Sequence, residues 1–259
     1  MWLEIFTVLM LGLCFGSFNT LLAYRLPLNN PVVIARSACP SCRKPLSARD
    51  LLPLLSWLIT GGKCRQCNTP IHWRYPATEL VTAAIFLLVY SLHGFTVNAL
   101  LLALLGTQIV AVCIIDFEHR IIPDELQITM GLTGLIYGLS GHLHLATMIA
   151  GLLIGAGFGF TLQKGYLWLK KRAGLGMGDV KFMAVSGLWL GVTPLIPFFF
   201  YAGILGILSA IGWRILRHDL YFPFGPALAI SLFLLVLYPP SEYWFQQLSL
   251  LMVTTVGII

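Results

Sequence analysis

Two aspartates occupy positions from which a carboxyl group could do acid–base chemistry. Asp116 lies near the end of an apolar run, in CIIDFEHR, with Ile115 and Phe117 on either side. A carboxylate at the C-terminal end of a helix opposes the helix dipole, and an ionisable residue at the edge of a membrane span is by default a candidate functional residue. Asp179 begins another apolar run, directly after the glycine-rich stretch GLGMG.

The glycines before Asp179 indicate more than a helix cap, because a cap needs only one residue. Gly176 and Gly178 allow backbone conformations that are closed to other residues, and they let another segment approach closely. If the helices that carry Asp116 and Asp179 pack together, the two carboxyls can share a proton, activate a water molecule and protonate a leaving amide nitrogen. The pair therefore predicts hydrolysis of a peptide bond without a covalent intermediate.

Three further charged residues are candidates for a supporting role. Two lie close to Asp116 or Asp179 in the sequence, and the third lies at the start of another span. Asp124 follows Pro123 and is predicted to cap a helix, and Lys181 lies just inside the helix that begins with Asp179. Glu79 follows RYP at the start of the second apolar helix. Together with the two glycines, these residues are the auxiliary candidates. Neither H-E-x-x-H nor G-x-S-x-G occurs in the chain, which argues against the common metalloprotease and serine hydrolase sites.

Four cysteines form two C-x-x-C pairs in the one sizeable polar region, 24–76. Between the pairs lie 21 residues, and the cysteines are Cys39, Cys42, Cys64 and Cys67. The spacing lies just beyond the usual range of a four-cysteine zinc site, and a cytosolic location would keep the thiols reduced. Zn²⁺ would supply folding energy that so small a region cannot obtain from a core. The alternatives are reduced thiols without a metal, or disulfides if the orientation is reversed.

The composition is typical of a polytopic membrane protein. The chain has 259 residues, of which 58% are hydrophobic and 10% are charged, and its mean hydropathy is +0.86. We therefore expect an all-α membrane helix bundle of about eight transmembrane helices with a small cytosolic zinc-binding loop domain. The apolar tail, about 245–259, is either a ninth span or an interfacial segment. The eight predicted spans lie at about 3–23, 77–92, 97–115, 125–140, 144–163, 180–192, 194–213 and 223–238.

The basic residues predict the orientation of the chain. With the N-terminus outside, all 16 lysines and arginines lie in the cytosolic segments 24–76, 116–124, 164–179 and 214–222 or, for Lys181, beside one of them. The positive-inside rule therefore predicts an N-terminus outside the cytosol and a site that faces the cytosol. The predicted domains are a first helix, a four-cysteine domain and a transmembrane bundle, at 1–23, 24–76 and 77–259. Within the bundle, Gly151, Gly155 and Gly159 form a small-residue ridge suited to close helix packing.

Four long motifs in a fixed order resemble the type 4 prepilin peptidases, which are bifunctional leader peptidases and N-methyltransferases. The fourth motif resembles the G-x-G-D signature that this family shares with presenilin-like intramembrane proteases. The resemblance covers nearly the whole chain. The motifs are GSF…YRLP at 16–27, CPSC…RYPATE at 39–79, IDFEHRIIPDEL at 115–126 and GMGDVKFMAVSGLWLG at 176–191.

The resemblance implies an activity and places its residues. The family's catalytic pair falls on Asp116 and Asp179, and its cysteine tetrad falls on the four cysteines above. The implied enzyme lies in the bacterial inner membrane and removes the short basic leader from a type IV prepilin or a type II secretion pseudopilin. It then methylates the new N-terminus with S-adenosylmethionine as donor. In one departure from the family's usual G-S-F-L-N, Asn19 follows Phe18 directly and Thr20 takes the usual place of the asparagine.

The binding residues for this substrate and donor are less well marked in the sequence. No adenosine-binding fingerprint is visible, so the residues that bind S-adenosylmethionine are not assigned. Glu79 is a conceivable base for methyl transfer. Cytosolic carboxylates could attract a basic leader, and the candidates are Glu79, Glu118, Asp124 and Glu125.

Two other classes of protein compete with this interpretation. A proton-coupled membrane transporter would use the same acidic residues as a proton path, but it predicts acids near mid-span and broken helices. A zinc-anchored scaffold explains the cysteines but gives Asp116 and the glycine-rich turn no role. The expected partners are a prepilin or pseudopilin and the lipid bilayer, with no nucleic acid. The oligomeric state is not predicted.

Overall fold

Helices make up almost all of the regular structure of this chain. The computed structural model describes residues 2–32, 36–171, 174–217 and 222–239, and over these ranges β pairing is limited to two isolated bridges. The predicted all-α fold is therefore confirmed. The helices of the described ranges are α1 (Trp2–Arg25), α2 (Leu55–Ile59), α3 (Arg74–His93), α4 (Val97–His119), α5 (Asp124–Tyr137), α6 (Leu145–Lys170), α7 (Met177–Leu190), α8 (Leu195–Arg217) and α9 (Gly225–Leu237).

Five of these helices, α1, α3, α4, α6 and α8, are long and apolar enough to cross a membrane. The three other predicted spans are also helical, but α5 and α7 have 14 residues each and α9 has 13. A straight helix needs about 20 residues to cross the hydrocarbon core, so eight full spans stay a prediction. A π-helical turn, Gly138–His142, extends α5. The predicted ninth segment, 245–259, lies outside the described residues.

The central helix of the bundle is α4. Of its most apolar stretch, 67% is buried, against 22–39% for the other four long helices. It packs against α1, α3, α5 and α9, and its residues Leu105, Ala111, Val112 and Ile115 have no exposed surface. Asp116 follows Ile115 directly, so its backbone is held in place by helices on several sides.

The polar loop and the C-terminal end of α4 lie on the same side of the bundle. The loop joins the end of α1 to the start of α3. Arg74, the first residue of α3, forms an ion pair with Glu118, which lies in the last turn of α4. Asp116 is two residues before Glu118, so the candidate carboxyl lies on the side of the bundle that carries the cysteines.

A close contact between α6 and α7 positions the helix that carries Asp179. Gly151, Gly155 and Gly159 are buried along one face of α6, as their spacing predicts. The backbone of α7 occupies the space that a side chain would need, because a Cβ atom at Gly155 would lie 2.9 Å from the carbonyl carbon of Met183. Close backbone approach of this kind is how small residues stabilise helix pairs in membranes.

We predict that Gly155→Ala destabilises the protein, since the added methyl group would separate α6 from α7. Overpacking of this type costs about 1–3 kcal/mol. The matched control is Gly157→Ala on the same helix, because a Cβ atom there would meet no atom within 4 Å. Thermal unfolding in detergent measures both variants. Equal midpoints for the two variants would contradict the tight α6–α7 contact.

Candidate active site

The carboxyl group of Asp116 is buried and meets the start of another helix. Its side chain is 5% exposed, and its Oδ2 accepts a hydrogen bond of 2.8 Å from the backbone N–H of Gly225. Gly225 is the first residue of α9, where backbone N–H groups lack partners within the helix and the dipole is positive. The N-terminus of α9 therefore offsets the unfavourable dipole of α4 at this position.

Gly225 is a site residue that the sequence analysis missed. A Cβ atom at this position would lie 2.8 Å from Oδ2 of Asp116 and 3.0 Å from its Cγ, so the hydrogen bond requires a glycine. The available signal was the Gly-Pro pair at 225–226 before the last apolar run, because proline favours the first turn of a helix. That signal marks where α9 begins but does not indicate what its N–H groups contact.

Asp179 lies in the first turn of α7 and does act as a helix cap. Its Oδ2 accepts a hydrogen bond of 3.1 Å from the backbone N–H of Gly176, the residue before the helix. Its side chain is half-buried. The cap accounts for one of its oxygen lone pairs and leaves the carboxyl able to make further contacts.

The structure brings the segments that carry the two aspartates together. Asp116 lies in the last turns of α4, six residues before Ile122, and Asp179 directly follows Gly178. Between α4 and α5, Ile122 packs against Gly178, where a Cβ atom would lie 3.3 Å from the Cβ of Ile122. The glycine therefore allows the close approach of the α4–α5 junction to the start of α7.

Asp124 does not cap a helix as expected. It is the first residue of α5, with Pro123 in the capping position, and its side chain pairs with Lys181 of α7. Nζ of Lys181 lies 2.7 Å from Oδ1 and 2.8 Å from Oδ2 of Asp124. The cap was a wrong prediction because a cation on a neighbouring helix competes for the carboxylate. The ion pair holds the α4–α5 junction to α7 from the solvent-exposed side.

Glu79 connects the polar loop to the bundle. It is 7% exposed, and its Oε2 accepts a hydrogen bond of 2.6 Å from the backbone N–H of Leu54. Leu54 has a positive φ of 58°, an unusual conformation for a non-glycine residue. On the other side, Gly16 of α1 packs against the backbone of Glu79. The carboxyl of Glu79 thus fixes a strained loop position against α1 and α3.

Asn19 forms a contact between α1 and α3, whereas the hydroxyl of Thr20 bonds within α1. Asn19 is fully buried, and its Nδ2 donates a hydrogen bond of 3.3 Å to the Oγ1 of Thr82 on α3. The hydroxyl of Thr20 donates to the carbonyl of Ser17 one turn earlier. The asparagine therefore makes an interhelical contact from its shifted position.

The two cysteine pairs lie in two turns of the same construction. In the first turn, the N–H of Cys39 donates to the carbonyl of Lys44, and the N–H of Arg43 donates to the carbonyl of Cys39. In the second turn, the N–H of Cys64 donates to the carbonyl of Thr69, and the N–H of Asn68 donates to the carbonyl of Cys64. Each turn is closed by an isolated β-bridge, Ala38 with Pro45 and Lys63 with Pro70. The equivalent residues Arg43 and Asn68 both have a positive φ.

The four cysteine sulfurs form one cluster that could hold a metal ion. All lie within 4.8 Å of one another, and every cysteine of the chain is a free thiol. Hydrogen bonds from the hydroxyl and backbone N–H of Thr69 lower the pKa of Cys67 to about 6, which favours the thiolate that metals bind. The cluster assembles without a disulfide, as a metal site requires.

Comparison with known proteins identifies relatives over most of the chain. Residues 10–93 match the family model of the Bacterial Peptidase A24 N-terminal domain, and residues 99–211 match that of the Type IV leader peptidase family. A prepilin leader peptidase/N-methyltransferase from Neisseria gonorrhoeae is 32% identical over 85% of this chain and 86% of its own length. Proteins of the same name from Aeromonas hydrophila and Bacillus subtilis are 31% and 33% identical, over 93% and 89% of this chain and 92% of their own lengths. No solved structure matches.

We predict that purified protein contains one metal ion per chain and that the double variant Cys39→Ser, Cys42→Ser loses it. Serine hydroxyls do not ionise as thiols do, so half of the ligand set would be removed. Elemental analysis gives the metal content, and limited proteolysis reports whether the loop opens. Cys14→Ser is the control, since Cys14 is an exposed residue of α1 outside the cluster. Equal metal content in all three proteins would contradict the metal site.

Proposed function

This chain belongs to the type IV leader peptidase family, and on that premise we propose that it cleaves the leader from a prepilin or pseudopilin and methylates the new N-terminus. The relatives named above carry both activities in their names. The peptidase proposal is supported by one arrangement: Asp116 and Asp179 are each held by a backbone N–H at a helix N-terminus, on segments that meet where Ile122 packs against Gly178. The peptidase is therefore proposed to be of the aspartic type.

The proposed hydrolysis needs the two carboxyls in different protonation states. Two carboxylates that share a site repel each other, so the pair retains one proton. The ionised carboxyl removes a proton from water as the water oxygen bonds to the scissile carbonyl carbon. The protonated carboxyl donates its proton to the amide nitrogen as the C–N bond breaks. The products are the leader with a new carboxyl group and the pilin with a free amine.

The auxiliary residues are proposed to hold this pair in position. Gly178 lets the start of α7 approach the α4–α5 junction, and Gly176 donates its backbone N–H to Asp179. The Asp124–Lys181 ion pair fastens the same junction at the surface. Misplacement of catalytic groups by about 1 Å can cost on the order of a hundredfold in rate. Their support for catalysis is therefore geometric and does not need contact with the substrate.

Zinc is the metal proposed for the cysteine cluster. Four Zn–S bonds of about 2.3 Å in a tetrahedral arrangement put the sulfurs about 3.8 Å apart. The Sγ atoms of Cys39 and Cys67 lie 3.8 Å apart. Four cysteine ligands leave no open coordination position, so zinc would stabilise the 24–76 domain and would take no part in the chemistry.

The methyl transfer is proposed to follow cleavage on the same side of the membrane. The uncharged amine attacks the methyl group of S-adenosylmethionine, the C–S bond breaks, and the amine then releases a proton. Glu79 is proposed to support this step by holding Leu54 of the loop against the bundle, since its Oε2 already accepts the N–H of Leu54. The hydrogen bond between Leu54 and Glu79 therefore joins the two proposed domains, 24–76 and 77–259.

The location proposed for the enzyme is the bacterial inner membrane, with the N-terminus in the periplasm. The Arg74–Glu118 ion pair supports this topology, because it puts the basic loop and the aspartates at the same ends of the helices. By the positive-inside rule that side faces the cytosol, where the basic leader of the substrate lies. The exposed carboxylate Glu125 is proposed to attract the leader, since Asp124 already pairs with Lys181.

We predict that Asp116→Asn and Asp179→Asn each lower prepilin cleavage by about a thousandfold or more, since an amide can neither accept nor donate the required proton. Cleavage of a purified prepilin in detergent, followed by gel electrophoresis, measures the loss. Glu4→Gln is the matched control, because Glu4 lies in the first turn of α1 and accepts a hydrogen bond from the hydroxyl of Tyr90. Asp124→Asn should retain substantial activity. Cleavage at the wild-type rate by either catalytic variant would defeat the aspartic mechanism.

We predict that Gly225→Ala lowers the kcat of cleavage by about tenfold to a hundredfold, because its methyl group would displace the carboxyl of Asp116. The KM should change little, since the backbone of α9 need not move to disturb the carboxyl. Gly131→Ala is the control, as a Cβ atom at Gly131 meets no atom within 4 Å. A Gly225→Ala enzyme with unchanged kcat would mean that the Gly225–Asp116 hydrogen bond has no part in catalysis.

A further inference from the structure

An apolar cavity of about 440 Å³ lies between α6 and the residues that precede α7 and α9, and it has no assigned role. It is bounded by the C-terminal half of α6, the segment before α7 and the segment before α9. Its volume is in the range typical of ligand-binding pockets. Residues that line it include Thr161, Gly165, Tyr166, Leu175, Met183 and Phe224.

Two walls of the cavity end at the backbone groups that hold the aspartates. Leu175 directly precedes Gly176, whose N–H binds Asp179, and Phe224 directly precedes Gly225, whose N–H binds Asp116. The lining of the cavity is therefore continuous, through one peptide bond on each side, with the two backbone donors that hold the aspartates. The wall at Leu175 is fixed to α6, because Nε2 of Gln163 donates a hydrogen bond of 3.1 Å to the carbonyl of Leu175.

The chemistry of the cavity suits an apolar chain. Among the lining residues, only Thr161 and Tyr166 carry polar side-chain atoms. On α6 the cavity is open, since Leu162 and Leu169 line it and are 46% and 70% exposed. Leu162 belongs to the predicted span 144–163 and Leu169 to the predicted cytosolic segment 164–179, so the cavity opens at the boundary between the bilayer and the cytosol. An apolar segment already in the bilayer can therefore enter it from the side.

We propose that this cavity binds the apolar segment of the substrate that follows the scissile bond. The inference rests on the proposed function, which supplies a substrate with a cytosolic leader and an apolar helix in the membrane. Binding there places the first residues after the cut between Leu175 and Phe224, with the leader on the far side of the two carboxyls. The cavity thereby sets where along the substrate the water attacks.

Gly165→Leu tests the proposal by filling the cavity. A Cβ atom at Gly165 would meet no atom within 4 Å, so the larger side chain occupies the cavity and displaces no part of the protein. The expected result is a fall of at least about tenfold in kcat/KM for a full-length prepilin. Gly157→Leu is the matched control, because Gly157 lies on the same helix, is equally free of neighbours and does not line the cavity.

A cross-linking experiment identifies the occupant directly. A photoreactive amino acid is placed at Leu162 in the inactive Asp179→Asn enzyme, which retains uncleaved prepilin, and a second one at Leu153 as a lipid-facing control. We expect cross-links from position 162 to the apolar segment after the cut, and none to it from position 153. Cross-links from position 162 to lipid alone would overturn the proposal, because the cavity would then be an acyl-chain site.

The outcomes separate this inference from the proposed function. If wild-type protein does not cleave the prepilin, the proposed function fails. If wild-type and Gly157→Leu proteins cleave it and Gly165→Leu cleaves it equally well, the proposed function stands and the cavity proposal is wrong.

Discussion

A buried carboxyl group must be given hydrogen-bond donors, and this requirement organises the bundle around Asp116. Within a membrane helix bundle little water is available to solvate such a group, and an unpaired buried polar group costs several kcal/mol, on the order of 2–7. The donor found here is the backbone N–H of Gly225, so α9 has to begin at the depth of the last turns of α4. The position of one carboxyl on the central helix therefore fixes where another helix starts.

The three short helices of the bundle share this constraint. The N-terminal ends of α5, α7 and α9 all lie at the site: α5 follows Ile122, which packs on Gly178, α7 carries Asp179, and α9 begins at Gly225. Each helix start contributes free N–H groups and a positive dipole end. Three such ends beside two carboxyl groups favour negative charge at a place where lipid would otherwise oppose it.

Sequence reasoning gives its most specific predictions where a residue type is rare or its spacing is local. The chain has only ten acidic residues, so Asp116 and Asp179 could be weighed individually, and the cysteine cluster follows from two C-x-x-C pairs. Gly225 was missed because it acts through a backbone N–H, which every residue except proline has. Its contact with Asp116 spans 109 positions and exists only through the packing of α4 on α9. The cap predicted at Asp124 failed for the same reason, since Lys181 reaches it from another helix.

The ion pair between Arg74 and Glu118 has a consequence for the two proposed reactions. It joins the first residue of α3, where the cysteine-containing loop ends, to the last turn of α4, which carries Asp116. The proposed peptidase site and the loop therefore lie on the same side of the bundle. In the proposed enzyme, the amine released by cleavage would not have to cross the membrane to meet a water-soluble methyl donor. Only the new N-terminus of the product would have to move, while its apolar helix stayed in the bilayer.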